Sequence, residues 1–158
     1  MISSPGTYHI TQDIQGGQLA KSCITINASH VTLNGRDHII IGRGVTDSTA
    51  ILIQNRMGIT DVSVNSVRIR RWNRGVHIVN ASQVTVQNVD AWLNAEGVTV
   101  WNSSEIKIVG GRLTRNLIGL VVDDSSSQIA VSKAHIEQNQ INVDWAYNRS
   151  ETKTTSNS

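Results

Sequence analysis

The amino-acid sequence predicts an all-β fold, a right-handed, single-stranded parallel β-helix (a solenoid) of about 22 residues per coil and five to six coils. Three observations lead there. Three consecutive 22-residue segments align without a gap, each holds three short runs that alternate apolar and polar, and no stretch has helical periodicity.

The repeat occupies residues 75–96, 97–118 and 119–140, headed by Gly75, Gly97 and Gly119. Asn80, Asn102 and Asp124 stand at the same place in the three segments. Val84, Ile106 and Ile129 follow, the last displaced by one residue. Upstream, Val62-Ser63-Val64 precedes Val84-Thr85-Val86 by 22 residues, and Ile51-Leu52-Ile53 matches Val76-His77-Ile78 with three extra residues in the turn. Residues 24–33 repeat the same order, and Ile141-Asn142-Val143 begins a last coil.

In the coil from Gly75, the pairs Val76/Ile78, Val84/Val86 and Val89/Ala91 read as three strands, each with one buried face. Runs this short make neither a hairpin sheet nor a βαβ unit. Stacking each on its counterpart, about 4.8 Å away, buries one continuous core. The right-handed sense follows from the preference of parallel crossovers. A leucine-rich repeat shares the period but has one strand per repeat and a leucine signature that is missing here. Asn at a fixed turn position is expected to form a side-chain ladder. The three heading glycines are expected to relieve a left-handed or crowded corner.

Residues 1–22 read as an N-terminal strand or cap that starts or covers the first coil, 23–147 as the β-helix, and 148–158 as a polar, disordered tail. The apolar residues are mostly Val and Ile, which suit strands. A single cysteine, Cys23, excludes an intramolecular disulfide. No stretch approaches the ~20 apolar residues of a membrane span. Met1–Pro5 lacks the pattern of a signal peptide, which leaves an extracellular or periplasmic parent open. The net charge of +2 is uneven: residues 50–118 carry eight basic and four acidic side chains, residues 119–158 three basic and five acidic. The basic middle favours an anionic partner weakly and carries no nucleic-acid motif.

The opening SPGTYHITQDI, then CITINASHVTLNG, then coils of the form G-[VL]-x-[VI] with N-x-S turns, resemble the parallel β-helix-repeat proteins of the pectin-lyase-like superfamily, over about residues 3–145. The resemblance implies the fold. Its members include polysaccharide lyases, hydrolases and epimerases, phage tail proteins and periplasmic repeat proteins, so it leaves function open. As in the hydrolases, an acid pair, Asp123-Asp124, follows a strand; these two and His77 are catalytic candidates, and a lyase would use an arginine of the 68–74 or 112–115 groups as base or charge neutraliser. The Asn-Thr-Asp, Gly-His-Gly and Arg-Ile-Lys motifs of those enzymes are missing, as is the Asp-Pro-His of the epimerases.

Two outward columns are candidate binding surfaces. Val79, Trp101, Asp123 and Trp145 lie 22 residues apart, so Trp101 and Trp145 are expected to flank Asp123, a suitable arrangement for stacking and hydrogen-bonding a pyranose. On the third strand, Arg68, Arg70, Trp92, Arg112 and Thr114 point outward if Ile69, Ala91 and Leu113 are buried, with Arg71, Trp72, Arg74 and Arg115 following at the turn. Guanidinium groups there suit carboxylated or sulfated sugars. The alternative is a solvated edge with Asp90 and Glu137 as counter-ions. The five histidines show no metal-ligand spacing, and neither metal nor cofactor is expected. The sequons at Asn27, Asn80 and Asn102 coincide with turns and are accounted for by turn chemistry. Three functions are compatible with these features: a non-catalytic module that binds a glycan, in particular an anionic one, or presents a rigid surface; a polysaccharide-active lyase or hydrolase; and a self-associating scaffold with an exposed Leu52, Val79 and Val121 column.

Overall fold

The computed structural model describes residues 1–16, 21–44, 47–145 and 154–155. All strand pairs among them are parallel, and they form an eleven-stranded and a six-stranded sheet. The six-stranded sheet contains one strand from each of six coils: β2 (Ile14–Gln15), β5 (Ile39–Ile41), β7 (Arg68–Arg70), β9 (Asp90–Trp92), β12 (Arg112–Thr114) and β15 (His135–Glu137). The larger sheet covers the other two faces of the solenoid. One face holds β3 (Ser22–Ile26), β10 (Glu96–Trp101), β13 (Ile118–Val122) and β16 (Ile141–Trp145). The other holds β1 (Gly6–His9), β4 (Val31–Asn34), β11 (Ser104–Val109), β14 (Ser127–Ser132) and β17 (Thr154–Thr155). The faces are joined because β6 (Thr49–Asn65) and β8 (Arg74–Gln87) run through the bend between them.

The core comes from alternation. Val62, Val84, Ile106 and Ile129 stack in one inward column, and Ile40, Ile69, Ala91, Leu113 and Ile136 in another. All these side chains are buried. The central coils keep the 22-residue period. The coil between Ile53 and Ile78 is lengthened at Asn55–Gly58, where the register between β6 and β8 shifts. The coil after Val100 gains one residue. Val100 pairs with Val122, but Ser104 pairs with Ser127, so the extra residue enters the corner at 123–126.

Residues 6–15 are built into the stack. β1 pairs with β4, β2 with β5, and Ile2 bridges Ile26. Asp13 ties this first coil to the second: it accepts the Ile39 N–H and meets His38 Nδ1, both at 3.1 Å, and these contacts hold its carboxyl below the usual range. The tail expected at 148–158 lies outside the described residues except for Thr154–Thr155, which pair with Ala130 and Val131.

Of the two reasons expected for the heading glycines, crowding is the one found. Gly75, Gly97 and Gly119 are not left-handed, and a Cβ there would lie 2.5–2.7 Å from the carbonyl oxygen of Gly97, Gly119 and Asn142 respectively. The left-handed corners are held by other residues, among them Asn80, Leu93, Asn102 and Arg115, with φ between 45° and 55°.

The expected asparagine ladder exists, in two places. Along one bend, Asn55 Nδ2 donates to Asn27 O and Asn80 Nδ2 to Asn55 O. The other is buried and was not legible from the repeat. Asn94, Asn116 and Asn139 each donate from Nδ2 to the carbonyl of the inward residue one coil back, Ile69, Ala91 and Leu113. Each Oδ1 of Asn94, Asn116 and Asn139 accepts a backbone N–H from the coil before: Trp72, Asn94 and Asn116 in turn. Trp72 occupies the first rung. It is 2 % exposed, its Nε1 donating to Ile40 O at 3.3 Å, so it does not join the outward face as expected.

Candidate functional site

The outer face of the six-stranded sheet brings together most of the predicted arginine column. Ile69, Ala91 and Leu113 are buried, and the residues on either side of them point outward as the alternation requires. Register places Arg68, Asp90, Arg112 and His135 in one column and Arg70, Trp92, Thr114 and Glu137 in the next. The guanidinium carbons of Arg68 and Arg70 lie 6.0 and 5.9 Å from the Trp92 ring centroid, within cation–π range. Thr114 is small where Trp92 is large, and a shallow concavity of about 550 Å³ opens over this difference. It is lined by both columns except Arg70, together with Arg115 and Gln138 of the adjoining corner.

The charges of this basin are poorly neutralised. Among the described residues, Arg68, Arg70, Arg112 and Arg115 make no ion pair, although Asp90 stands between Arg68 and Arg112. The Nε of Arg70 is buried without a hydrogen-bond partner among the described residues. The expected counter-ions Asp90 and Glu137 therefore do not close the site. His135, Gln138 and Glu137 join it from the next coil. The histidine and glutamine had no signal in the sequence beyond their register, because the 23-residue spacing to that coil obscures it.

Arg74 leaves this group. It sits at the start of β8, on a different face, and pairs with Glu96 at 3.3 Å and Asp47 at 3.5 Å. Its guanidinium lies 5.0 Å from the Trp101 ring centroid. Trp101 also meets His77 edge-on, with centroids 4.5 Å apart. His77 is 7 % exposed, and its Nε2 has no hydrogen-bond partner among the described residues. Burial, and next the Arg74 charge, lower its pKa to about 4, so the ring is neutral at neutral pH. Leu52 and Thr99 flank it in register.

The second predicted column is not formed. Trp101 pairs with Val79, but Trp145 pairs with Val122, which belongs to the inward column of Val100. Trp145 is half-buried and packs against the core. The extra residue at 123–126 causes this: counting 22 from Asp123 lands one residue out of phase, which exchanges the faces. The carboxylate of Asp123 accepts the Asn102 N–H at 3.1 Å and the hydroxyls of Ser125 and Ser126, a turn-capping role. Asp124 is exposed beside it. Neither acid stands near His77 in the register, since Val121 rather than Asp123 continues the column of His77 and Thr99.

Among the described residues, no group of three His, Cys, Asp or Glu side chains is placed to hold a metal ion. Burial raises the thiol pKa of Cys23, away from a reactive thiolate. No curated protein and no solved structure matches the chain. A family described as the right-handed beta helix region matches residues 12–158. With six parallel coils and a family match over nearly its whole length, the chain belongs to the right-handed β-helix family.

Proposed function

We propose that this chain is a non-catalytic β-helix module that binds an anionic glycan on the outer face of its six-stranded sheet. The observation that carries the reading is the cluster of Arg68, Arg70, Arg112 and Arg115 around Trp92, none of the four ion-paired among the described residues. Arginine on a rigid sheet presents its fork of donors to a carboxylate or sulfate with little ordering cost. An aromatic face beside it accepts the C–H face of a sugar ring. The concavity is open and shallow, a form suited to a chain polymer lying across the coils.

The test is a titration of acidic and neutral glycans at two salt concentrations, with product analysis. Binding to acidic glycans that weakens with salt and falls about tenfold in Arg112→Ala or Trp92→Ala supports the reading. Unsaturated products or new reducing ends would replace it with a polysaccharide-active enzyme. Salt-insensitive binding of neutral glycans, lost in Trp101→Ala, would move the site to the face that carries His77.

A further inference from the structure

We infer that the basin reads charge spacing, and that its ligand is a linear polyanion bearing one negative group per two sugars, laid along the solenoid axis. This rests on the anionic-glycan reading above. On this face, from β7 to β15, arginines recur in every second coil. Arg68 and Arg112 stand on either side of Asp90 in one column. Arg71 and Arg115 stand on either side of Leu93 in the corner column, where the Arg71 N–H donates to Leu93 O and the Leu93 N–H to Arg115 O. Two strand spacings amount to about 9.6 Å, close to the rise of a disaccharide in an extended polysaccharide.

The intervening coil has a different chemistry. It presents Trp92 and Leu93, an aromatic ring and an exposed apolar side chain, with the carboxylate of Asp90 beside them. The coil beyond Arg112 presents His135 beside Arg112, then Glu137 and Gln138. Coils with and without arginine therefore alternate on this face from β7 to β15. A polymer charged on every sugar advances by roughly one strand spacing per charge. Every other carboxylate would fall against Asp90 and Glu137, and like charges set opposite one another reject a partner. A polymer charged on alternate sugars meets no such opposition. Its anionic sugars fall at Arg68/Arg71 and Arg112/Arg115, and its neutral sugar at Trp92, where stacking needs no counter-charge.

Hyaluronan, with a carboxylate on alternate sugars, and polygalacturonate, with one on each, share the same anionic group and differ in its spacing. Titration calorimetry with length-matched oligomers of each, at ~0.15 M salt, is the test, using the wild-type chain, Arg112→Ala and the double variant Asp90→Asn/Glu137→Gln. The expected result is tighter binding of hyaluronan by about tenfold, with the gap narrowed in the double variant because polygalacturonate gains. Polygalacturonate bound equally or more tightly, with the loss in Arg112→Ala retained, would overturn the spacing rule and leave the anionic-glycan site standing. No binding of either polymer, affinity indifferent to Arg112→Ala, or a preference for oligothymidylate over both would overturn the two together. The substituted side chains lie on the outer face, and an unchanged thermal melt confirms that each variant is folded.

Discussion

Trp72 stands in the buried ladder one rung before Asn94, its backbone N–H donating to Asn94 Oδ1 at 2.9 Å while its indole donates to Ile40 O as the asparagines donate to Ile69, Ala91 and Leu113. An indole and three amides thus play the same part, since each donates from a corner to the carbonyl of an inward strand residue of the previous coil. A buried corner of this kind leaves backbone groups without a strand partner, and a side chain must supply one.

Asn116→Ala tests how much the ladder contributes. The substitution leaves the Asn94 N–H without its acceptor and removes a second donor from the Ala91 carbonyl, which keeps its place in the β9–β12 ladder. One buried unsatisfied N–H predicts a loss of about 1–3 kcal/mol in urea unfolding. A loss below about 1 kcal/mol would mean that water enters the corner and replaces the amide.

Gly97→Ala is expected to be as damaging for a different reason. The new Cβ would lie 2.6 Å from the Gly119 carbonyl oxygen, and both belong to stacked strands that cannot separate without breaking their ladder. Overpacking of this kind costs about 1–3 kcal/mol. A calorimetric melt with an unchanged midpoint would refute it.

His77 predicts a pH dependence of stability. The folded protein keeps the imidazole neutral down to about pH 4, whereas the ring in the unfolded chain titrates near its ordinary value of 6.5. Unfolding therefore takes up a proton between these limits, and stability is complete above pH 6.5 and falls as the pH drops towards 4. The contribution is on the order of 3 kcal/mol. His77→Gln should flatten the slope of the urea midpoint against pH across this window; an unaltered slope would locate the effect elsewhere.

Trp145→Ala should lower stability by about 2–3 kcal/mol, because the indole covers the last inward column. It should leave affinity for acidic glycans unchanged, as Trp145 lies off the arginine face. A glycan affinity that falls with an unchanged melting temperature would restore the Trp101–Trp145 site.

The period, the three faces and the inward columns were legible in the sequence because alternation and a 22-residue repeat act locally and reinforce one another. Ile69, Ala91 and Leu113 could be assigned inward, and Arg68, Trp92 and Arg112 outward, from parity alone. What escaped depends on contacts between coils. Trp145 was misplaced by a single residue at 123–126, since one residue reverses parity in a strand. Trp72 looked like a turn residue and is a ladder rung. The contacts of Arg74 with Asp47, Glu96 and Trp101 join three coils, and no local pattern marks them. The heading glycines were recognised, and of the two causes open in the sequence only the three-dimensional stack selects close backbone approach over a left-handed turn.

The extra residues at 55–58 and at 123–126 are taken up in corners, and the strands on either side resume pairing with their buried side chains in place. Length variation in such a chain is therefore nearly neutral to folding when it falls in a corner and ruinous when it falls in a strand. An evolving lineage can thus lengthen the corners that border the Arg–Trp basin, reshaping what the face admits, while the stacked interior is inherited intact. Specificity and foldability are separately heritable in this architecture, and new recognition can arise by insertion as readily as by substitution.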